Sequence, residues 1–458
     1  MTEISPPGTG IHPAREIEPH IHLSRPSSRA SKTETPAVRY PPSLPTQPPT
    51  VETVEPTETI PASKRKLLER QYFLSMCMSL FLAGWNESVA GPLLPRMQAT
   101  YHVGYTVVSL IFICNCVGFI SAALVNLWLT DRFGFGKVIT LGSILQLIAY
   151  SIQAPQPPFP LLVLSYFING FGQALQDAQS NGLVAALPTN PQAKMSILHA
   201  AYGLGAFSSP LVATQFTQRR KWTFHFLTSL GVAFINMVAL VWICRLKTQD
   251  ELLRNVGVVH TEGHNDSTED SKFAEMMKSG VVQLLASFIL VYVGVEVTIG
   301  GWIVSFIVEK RGGGSNAGYV SSGLTLGRML LIWLNQKLGP RRAIYLYGLC
   351  AIGLEFTIWF TPSLIENALA VSFVGLFLGP IYPLVMNVAS AIVPRRILTG
   401  SIGWIASIGQ TGSATFPFIL AVIAQHYGLQ VLQPLLIGTI SFMLGVWFFV
   451  PTPDRRKD

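Results

Sequence analysis

The run from Leu161 to Leu187, LLVLSYFINGFGQALQDAQSNGLVAAL, is long enough to cross a bilayer as one helix, yet it carries an acid in its interior. Gln173, Gln176, Asp177, Ser180 and Asn181 sit at relative positions 0, 3, 4, 7 and 8, so a helix gathers them into one polar stripe. Leu, Ile, Phe, Val, Ala and Gly supply the rest of the circumference. A carboxylate at mid-bilayer costs about 3 kcal/mol or more, so this face has to look into a protein interior or a watery cavity. A polar stripe on an apolar span points to a transport pathway, with a structural network between helices as the rival reading.

Composition agrees with a chain built from such spans. Of its 458 residues 49% are hydrophobic and only 12% charged, where a soluble domain carries about 25% charged residues. The expectation is an all-α polytopic membrane protein whose partner is the lipid bilayer. The net charge of +8 needs no nucleic acid, because its distribution along the chain accounts for it. The five cysteines, Cys77, Cys114, Cys116, Cys244 and Cys350, fall inside apolar runs without metal-ligand spacing. No motif calls for a metal or a cofactor.

Residues 1–71 read as a disordered tail, Pro-, Ser- and Thr-rich and ending in the collar Lys64, Arg65, Lys66 and Arg70. Twelve spans follow, near 72–95, 105–130, 137–154, 161–187, 195–217, 222–244, 281–308, 317–336, 343–361, 365–393, 398–425 and 431–450. They divide into a six-helix bundle over 72–244, a polar and flexible linker over 245–280, a second six-helix bundle over 281–450 and a tail over 451–458. Lys and Arg crowd the segments that share a side with the N-terminus, including Arg132, Lys137, Arg245, Lys247, Arg341 and Arg342. The opposite loops hold only Arg96, Arg219, Arg220, Lys221, Lys310 and Arg311. This bias places both termini in the cytoplasm. The membrane itself, plasma or vacuolar, stays open.

The halves repeat each other. Asp131-Arg132-Phe133-Gly134 has a counterpart in Gln336-Lys337-Leu338-Gly339, and Glu87 with Gly91 matches Glu296 with Gly300. Asn181 and Pro188 match Asn387 and Pro394, and Gly205 and Pro210 match Gly412 and Pro417. Four matches in order, at offsets of about 205–209 residues, indicate a parallel repeat with a site near the midplane.

Twelve spans, a long central loop and Asp131-Arg132-x-Gly134-x-x-Lys137 resemble the major facilitator superfamily. In that loop motif Leu127 stands where a Gly is usual, and one residue is inserted before Lys137. The resemblance implies alternating access, with Asp131, Arg132 and Gly134 in the gating network at the cytoplasmic face. GFGQALQDAQSN, His199-x-x-x-Gly203-x-Gly205-Ala206 and YVGVEVTIGGW are similar to the fucose:proton symporter-like branch and its fungal relatives. In that branch an acid four residues before the span-four Asn couples protons to sugar movement, and here that acid is Asp177 before Asn181. The branch's second acid has no match. Leu94 stands nearest its position.

Other residues suit the same work. Glu87 and Glu296 are flanked by glycines that admit a ligand or a neighbouring backbone, and either acid can titrate. Trp85 and Trp302 can stack on a sugar ring. Asn86, Asn115, Gln173, Gln176, Asn387 and Gln410 can bond its hydroxyls. His199 and Tyr202 share one face of span five. Arg328, well inside span eight, pairs with an acid or snorkels to the inner face. Pro380 and Pro383 break span ten. The expected function is a secondary active transporter moving a small polar solute such as a sugar, coupled to protons or, in their place, sodium. A proton-linked exporter, a uniporter and a non-transporting membrane receptor of the same fold are the alternatives.

Overall fold

The computed structural model describes residues 61–258, 269–314, 317 and 337–451. Among them all regular structure is helical. The helices are α1 (Ala62–Ser88), α2 (Ala90–Tyr101), α3 (Tyr105–Val108), α4 (Leu110–Phe133), α5 (Phe135–Gln153), α6 (Phe159–Ala186), α7 (Pro191–Thr217), α8 (His225–Cys244), α9 (Gln249–Asn255) and α10 (Glu269–Lys278). They continue with α11 (Gly280–Arg311), α12 (Pro340–Phe360), α13 (Leu364–Leu378), α14 (Ile381–Ile392), α15 (Arg395–Tyr427) and α16 (Leu432–Phe448). Among the described residues eight stretches are long and apolar enough to cross a membrane. Helices α1, α6 and α7, with 27, 28 and 27 residues, have the length but not the apolarity. They are the helices that carry Glu87, Asp177 and His199. Span eight lies outside the described residues except for Ala317, and Arg328 lies outside with it.

Glycines let these helices touch backbone to backbone. A Cβ on Gly205 of α7 would come within 1.9 Å of the Phe81 carbonyl oxygen on α1, and one on Gly84 within 2.0 Å of the Tyr202 oxygen. The same holds for α4 and α6, where Gly118 faces Phe167 and Gly170 faces Asn115. In the second half Gly412 of α15 lies against Leu290 of α11, at 2.1 Å from its oxygen. Small residues at such crossings give dispersion its shortest range, and this holds helices together in lipid, where the hydrophobic effect between them is absent.

One end of the molecule carries the collar of α1, Arg132 at the end of α4, and Arg245 after α8. At this basic end the structure corrects the flexible-linker expectation. Residues 249–255 form α9, opened by a capping box between Thr248 and Glu251. Leu252 and Leu253 are buried in a cluster with Tyr72, Phe135, Leu183 and Leu240. The Gly136 N–H donates to the Lys247 carbonyl at 2.9 Å, which ties the 131–137 turn to this segment. Gly134 makes that turn at φ +83°, a conformation that favours glycine. The first helix also begins earlier than its apolar run, at Ala62. Before that run starts, Glu69 is buried and pairs with Lys194, and it accepts from the Thr189 N–H at 3.1 Å and from the Thr189 hydroxyl at 2.5 Å. Burial pushes the Glu69 carboxyl up, but the bonds from Lys194 and Thr189 outweigh it and leave it below the ordinary carboxylate range.

The two halves meet at the opposite end. The Tyr105 hydroxyl donates to Glu309 Oε2 at 2.5 Å, and its ring stands edge-on to Trp302 at 5.7 Å. Thr106 Oγ1 donates to the Ala421 carbonyl at 3.4 Å. Gly301 packs on Phe112 and Leu94. Further toward the basic end, α4 stays bonded to α6, where Gln179 donates to Asn126 Oδ1 at 3.0 Å and to Thr130 Oγ1 at 2.6 Å, and turns an apolar face outward. Leu124, Leu127 and Trp128 are 79%, 68% and 60% exposed, and Ala123 and Val125 beside them are exposed too.

Candidate functional site

Helix α1 ends where its polar residues begin. Asn86 and Glu87 occupy its last turn, and Val89 separates it from α2. Asn86 is buried and makes three side-chain hydrogen bonds. Its Nδ2 donates to Gln173 Oε1 at 2.7 Å, and its Oδ1 accepts from Asn169 Nδ2 at 2.5 Å and from the Tyr150 hydroxyl at 3.3 Å. Glu87 is held at both oxygens. Oε1 accepts from Gln173 Nε2 at 3.1 Å, and Oε2 accepts from the Tyr202 hydroxyl. Four helices, α1, α5, α6 and α7, thus converge on two adjacent residues.

Asp177 lies one turn beyond Gln173 on α6. Its Oδ1 is buried and has no hydrogen-bond partner. Its charge and that of Glu87 act on each other, and both act on Tyr382 at the start of α14 in the second half. Tyr382 is placed there by the expected break of span ten, since α13 stops at Leu378 and α14 starts at Ile381.

Between the halves lies a small, partly open cavity of about 40 Å³. Asn86, Glu87, Asn115 and Tyr166 line it from the first half, and Val297 and Gln410 from the second. Cys116 Sγ reaches the Gln410 carbonyl at 3.5 Å, so α4 and α15 close the cavity on one flank. Among the described residues no group of three His, Cys, Asp or Glu could hold a metal ion.

The structure therefore gathers Glu87, Asp177, Asn86, Gln173 and Tyr202 into one network, with Asn115 and Gln410 on the cavity wall. Asn181 lies beside Asp177, where its Nδ2 turns back to the Asp177 carbonyl at 2.8 Å. Glu296 is half-buried at mid-height of α11, and Asn387 is exposed on α14. His199 is exposed near the start of α7, and Asp131 and Arg132 are exposed at the end of α4.

Three residues read as solute-binding belong elsewhere. Gln176 donates to Gln146 Oε1 and accepts from Asn236 Nδ2 at 2.7 Å, inside the first bundle. The stripe on α6 covers about 140° of a helix with 100° per residue, wide enough to face two neighbours at once. Gln173 and Asp177 look to α1, and Gln176 looks to α5 and α8. Trp85 donates to Ser229 Oγ at 2.9 Å and stacks on His225 at 5.8 Å, so it is core. Trp302 is fully buried beside Tyr105, at the closed end. The residues that sequence reasoning missed are Tyr150, Tyr166, Asn169 and Tyr382. Extending the α6 stripe backwards by one and two turns reaches Asn169 and Tyr166.

Residues 76–374 match the family model described as the Major Facilitator Superfamily. Bypass of stop codon protein 6 of Saccharomyces cerevisiae is 25% identical, covering 86% of this chain and 84% of its own length. The Glucose/mannose transporter GlcP of Bacillus subtilis is 21% identical over 74% of this chain and 84% of its own. The crystal structure of a D-xylose-proton symporter superposes with a TM-score of 0.70 at 14% identity, covering 84% of this chain and 98% of that one. The chain belongs to the major facilitator superfamily, whose members are multi-pass membrane transporters and not enzymes.

Proposed function

We propose that this chain is a proton-coupled carrier of a small polar solute of the sugar class, working by alternating access. One observation carries this reading. A cavity lies on the seam between the halves, Glu87 is in its wall, and Asp177 stands behind Glu87 within reach of its charge. The Lys and Arg bias assigns the basic end to the cytoplasm, so the contacts of Tyr105 with Glu309 and of Thr106 with Ala421 tie the halves at the outer end. Two similar proteins, a glucose/mannose transporter and a D-xylose-proton symporter, support the solute class.

The chemistry follows from donor counting. An ionised carboxylate only accepts, whereas a protonated one also donates. Glu87 has a donor on each oxygen already. Asp177 has a buried oxygen without one, so Asp177 is the carboxyl at which adding or removing a proton rewrites the local bonding. Protonation removes one charge from the seam and lowers the cost of withdrawing it from water as the halves re-close. Tyr382 carries that change across to the second half.

The test is uptake by proteoliposomes holding the full chain, with a panel of labelled monosaccharides and an imposed pH gradient. The expected result is accumulation driven by the gradient in the parent protein. Asp177→Asn should abolish accumulation and leave solute exchange intact. Undiminished accumulation by Asp177→Asn would defeat the coupling assignment.

A further inference from the structure

We infer that Tyr166 and Asn115 form the hydroxyl seat of the central cavity, and that the solute is an uncharged polyhydroxyl compound. This rests on the carrier reading above and narrows it.

Two wall groups of the cavity are buried without a partner. Tyr166 is 5% exposed, and its hydroxyl has no hydrogen bond. Asn115 Oδ1 is likewise buried and unpaired. Eighteen buried side-chain polar atoms lack a partner among the described residues, and these two share the wall of one cavity, where a ligand hydroxyl would satisfy them. The two lie close together. Asn115 is pressed against Gly170, where a Cβ would stand 2.0 Å from its backbone oxygen and 2.9 Å from its Oδ1. Gly170 is one helical turn past Tyr166 on α6. The amide is thus placed by a helix crossing and not by a side-chain bond.

Their chemistry is complementary. A phenol hydroxyl donates or accepts, and an amide oxygen only accepts. One alcohol group satisfies both by accepting from Tyr166 and donating to Asn115. The rest of the wall fits the body of a sugar. Ile111, Phe112 and Val297 are apolar, and an aromatic ring suits the C–H face of a pyranose.

Charge narrows the class. Among the described lining residues there is no Lys, Arg or His, so nothing there balances an anion. The one acid, Glu87, already accepts from Tyr202 and Gln173, and a neutral polyol or sugar suits the hydroxyl and the amide oxygen that have no partner.

The experiment measures binding and flux with the full-length protein. Probes are glucose, mannose, xylose, their deoxy analogues and mannitol, with gluconate as the anion and spermidine as the cation. Neutral probes should bind and the charged ones should not. Tyr166→Phe and Asn115→Ala should each weaken the best neutral probe about tenfold. One deoxy analogue should bind the parent and Tyr166→Phe equally, and so identify the hydroxyl concerned. Tyr166→Phe removes only an unpaired hydroxyl, so its melting temperature should hold or rise. Unchanged affinity in both variants, with flux of a neutral sugar intact, would overturn the seat and leave the carrier standing. Preference for gluconate or spermidine, or no binding of any neutral probe, would overturn the solute class. Absence of flux for every probe would overturn the carrier reading itself.

Discussion

The crossing of α1 and α7 is where packing and chemistry are most tightly joined, and Gly205→Ala tests it. The new Cβ would meet the Phe81 carbonyl oxygen at 1.9 Å, its carbon at 2.8 Å and the Trp85 nitrogen at 2.9 Å. All three are backbone atoms, so no rotamer change relieves the clash. Ordinary contact begins at 3.4 Å, so α7 has to retreat by about 1.5 Å. The retreat acts on Tyr202, one turn away, whose carbonyl lies against Gly84 and whose hydroxyl holds Glu87. Overpacking costs about 1–3 kcal/mol, and a hydrogen bond to a charged group adds about 1.5–3 kcal/mol, so the loss is about 2.5–6 kcal/mol. Gly412→Ala is the internal control. It meets the Leu290 oxygen at 2.1 Å, the same kind of clash at the equivalent crossing of the second half. Melting in detergent and uptake as a function of pH separate the two terms. Both variants should melt earlier, Gly205→Ala by more, and only Gly205→Ala should also flatten the pH dependence of uptake. A Gly205→Ala protein that melts with the parent would refute the packing argument. One that melts early but keeps the parental pH profile would refute the link to Glu87.

Two more predictions test the ends of the molecule. Glu69→Gln removes one partner of a buried ion pair and should cost about 3–5 kcal/mol at neutral pH, read as an earlier melt. Because the folded Glu69 carboxyl lies below the ordinary range, its stabilisation is complete above that range and is lost as pH falls through the lowered folded value. The parent should therefore lose melting temperature below about pH 4 more steeply than Glu69→Gln does, and parallel acid profiles would contradict this. At the other end, Tyr105→Phe removes the bond to Glu309, worth about 1.5–3 kcal/mol, and should shift the population toward the outward-open state. In a variant whose only cysteine is Cys116, an impermeant reagent applied outside should label that residue several-fold faster, and an unchanged rate would show that the bond holds nothing shut.

How much of this was legible beforehand differs from element to element. The α6 stripe could be read because intramembrane polar residues are costly and a helix has a fixed period. Its outcome was mixed, because periodicity gives a face and not a neighbour. Gln173 and Gln176 are three residues apart, yet one meets Glu87 and the other Gln146. Starting the stripe at Gln173 also cut off Asn169 and Tyr166, whose single polar atoms do little to a hydropathy average. Helix α9 was missed for a different reason. Seven residues, QDELLRN, are too few to show a period, and its two buried leucines look like chance in a polar segment. Its capping pair, Thr248 and Glu251, was visible in the sequence. Trp85 shows the limit of reasoning by residue type. A ring that can stack on a sugar stacks equally well on His225, and only the tertiary neighbour decides.

The repeat allows a last step. Its two copies keep the same backbone contact, Gly205 on Phe81 and Gly412 on Leu290, and differ in what surrounds it. At the spacing of the repeat, Glu87 corresponds to Glu296, but Tyr202 corresponds to Gly409. Gly409 lies against Ile289, where a Cβ would stand 2.5 Å from Cγ2, so the second half has no hydroxyl at the place from which Tyr202 holds Glu87. Asp177 corresponds to Pro383. Where the first copy has an acid, the second has a proline in the first turn of α14, just past the junction at Gly379 and Pro380. The first half thus holds the carboxylates in a fixed frame, and the second presents Tyr382 to them from a broken helix. Symmetric packing gives the halves a shared axis on which to rock. Asymmetric chemistry gives the rocking something to respond to, because a charge change on one side meets Tyr382 beside a helix junction on the other.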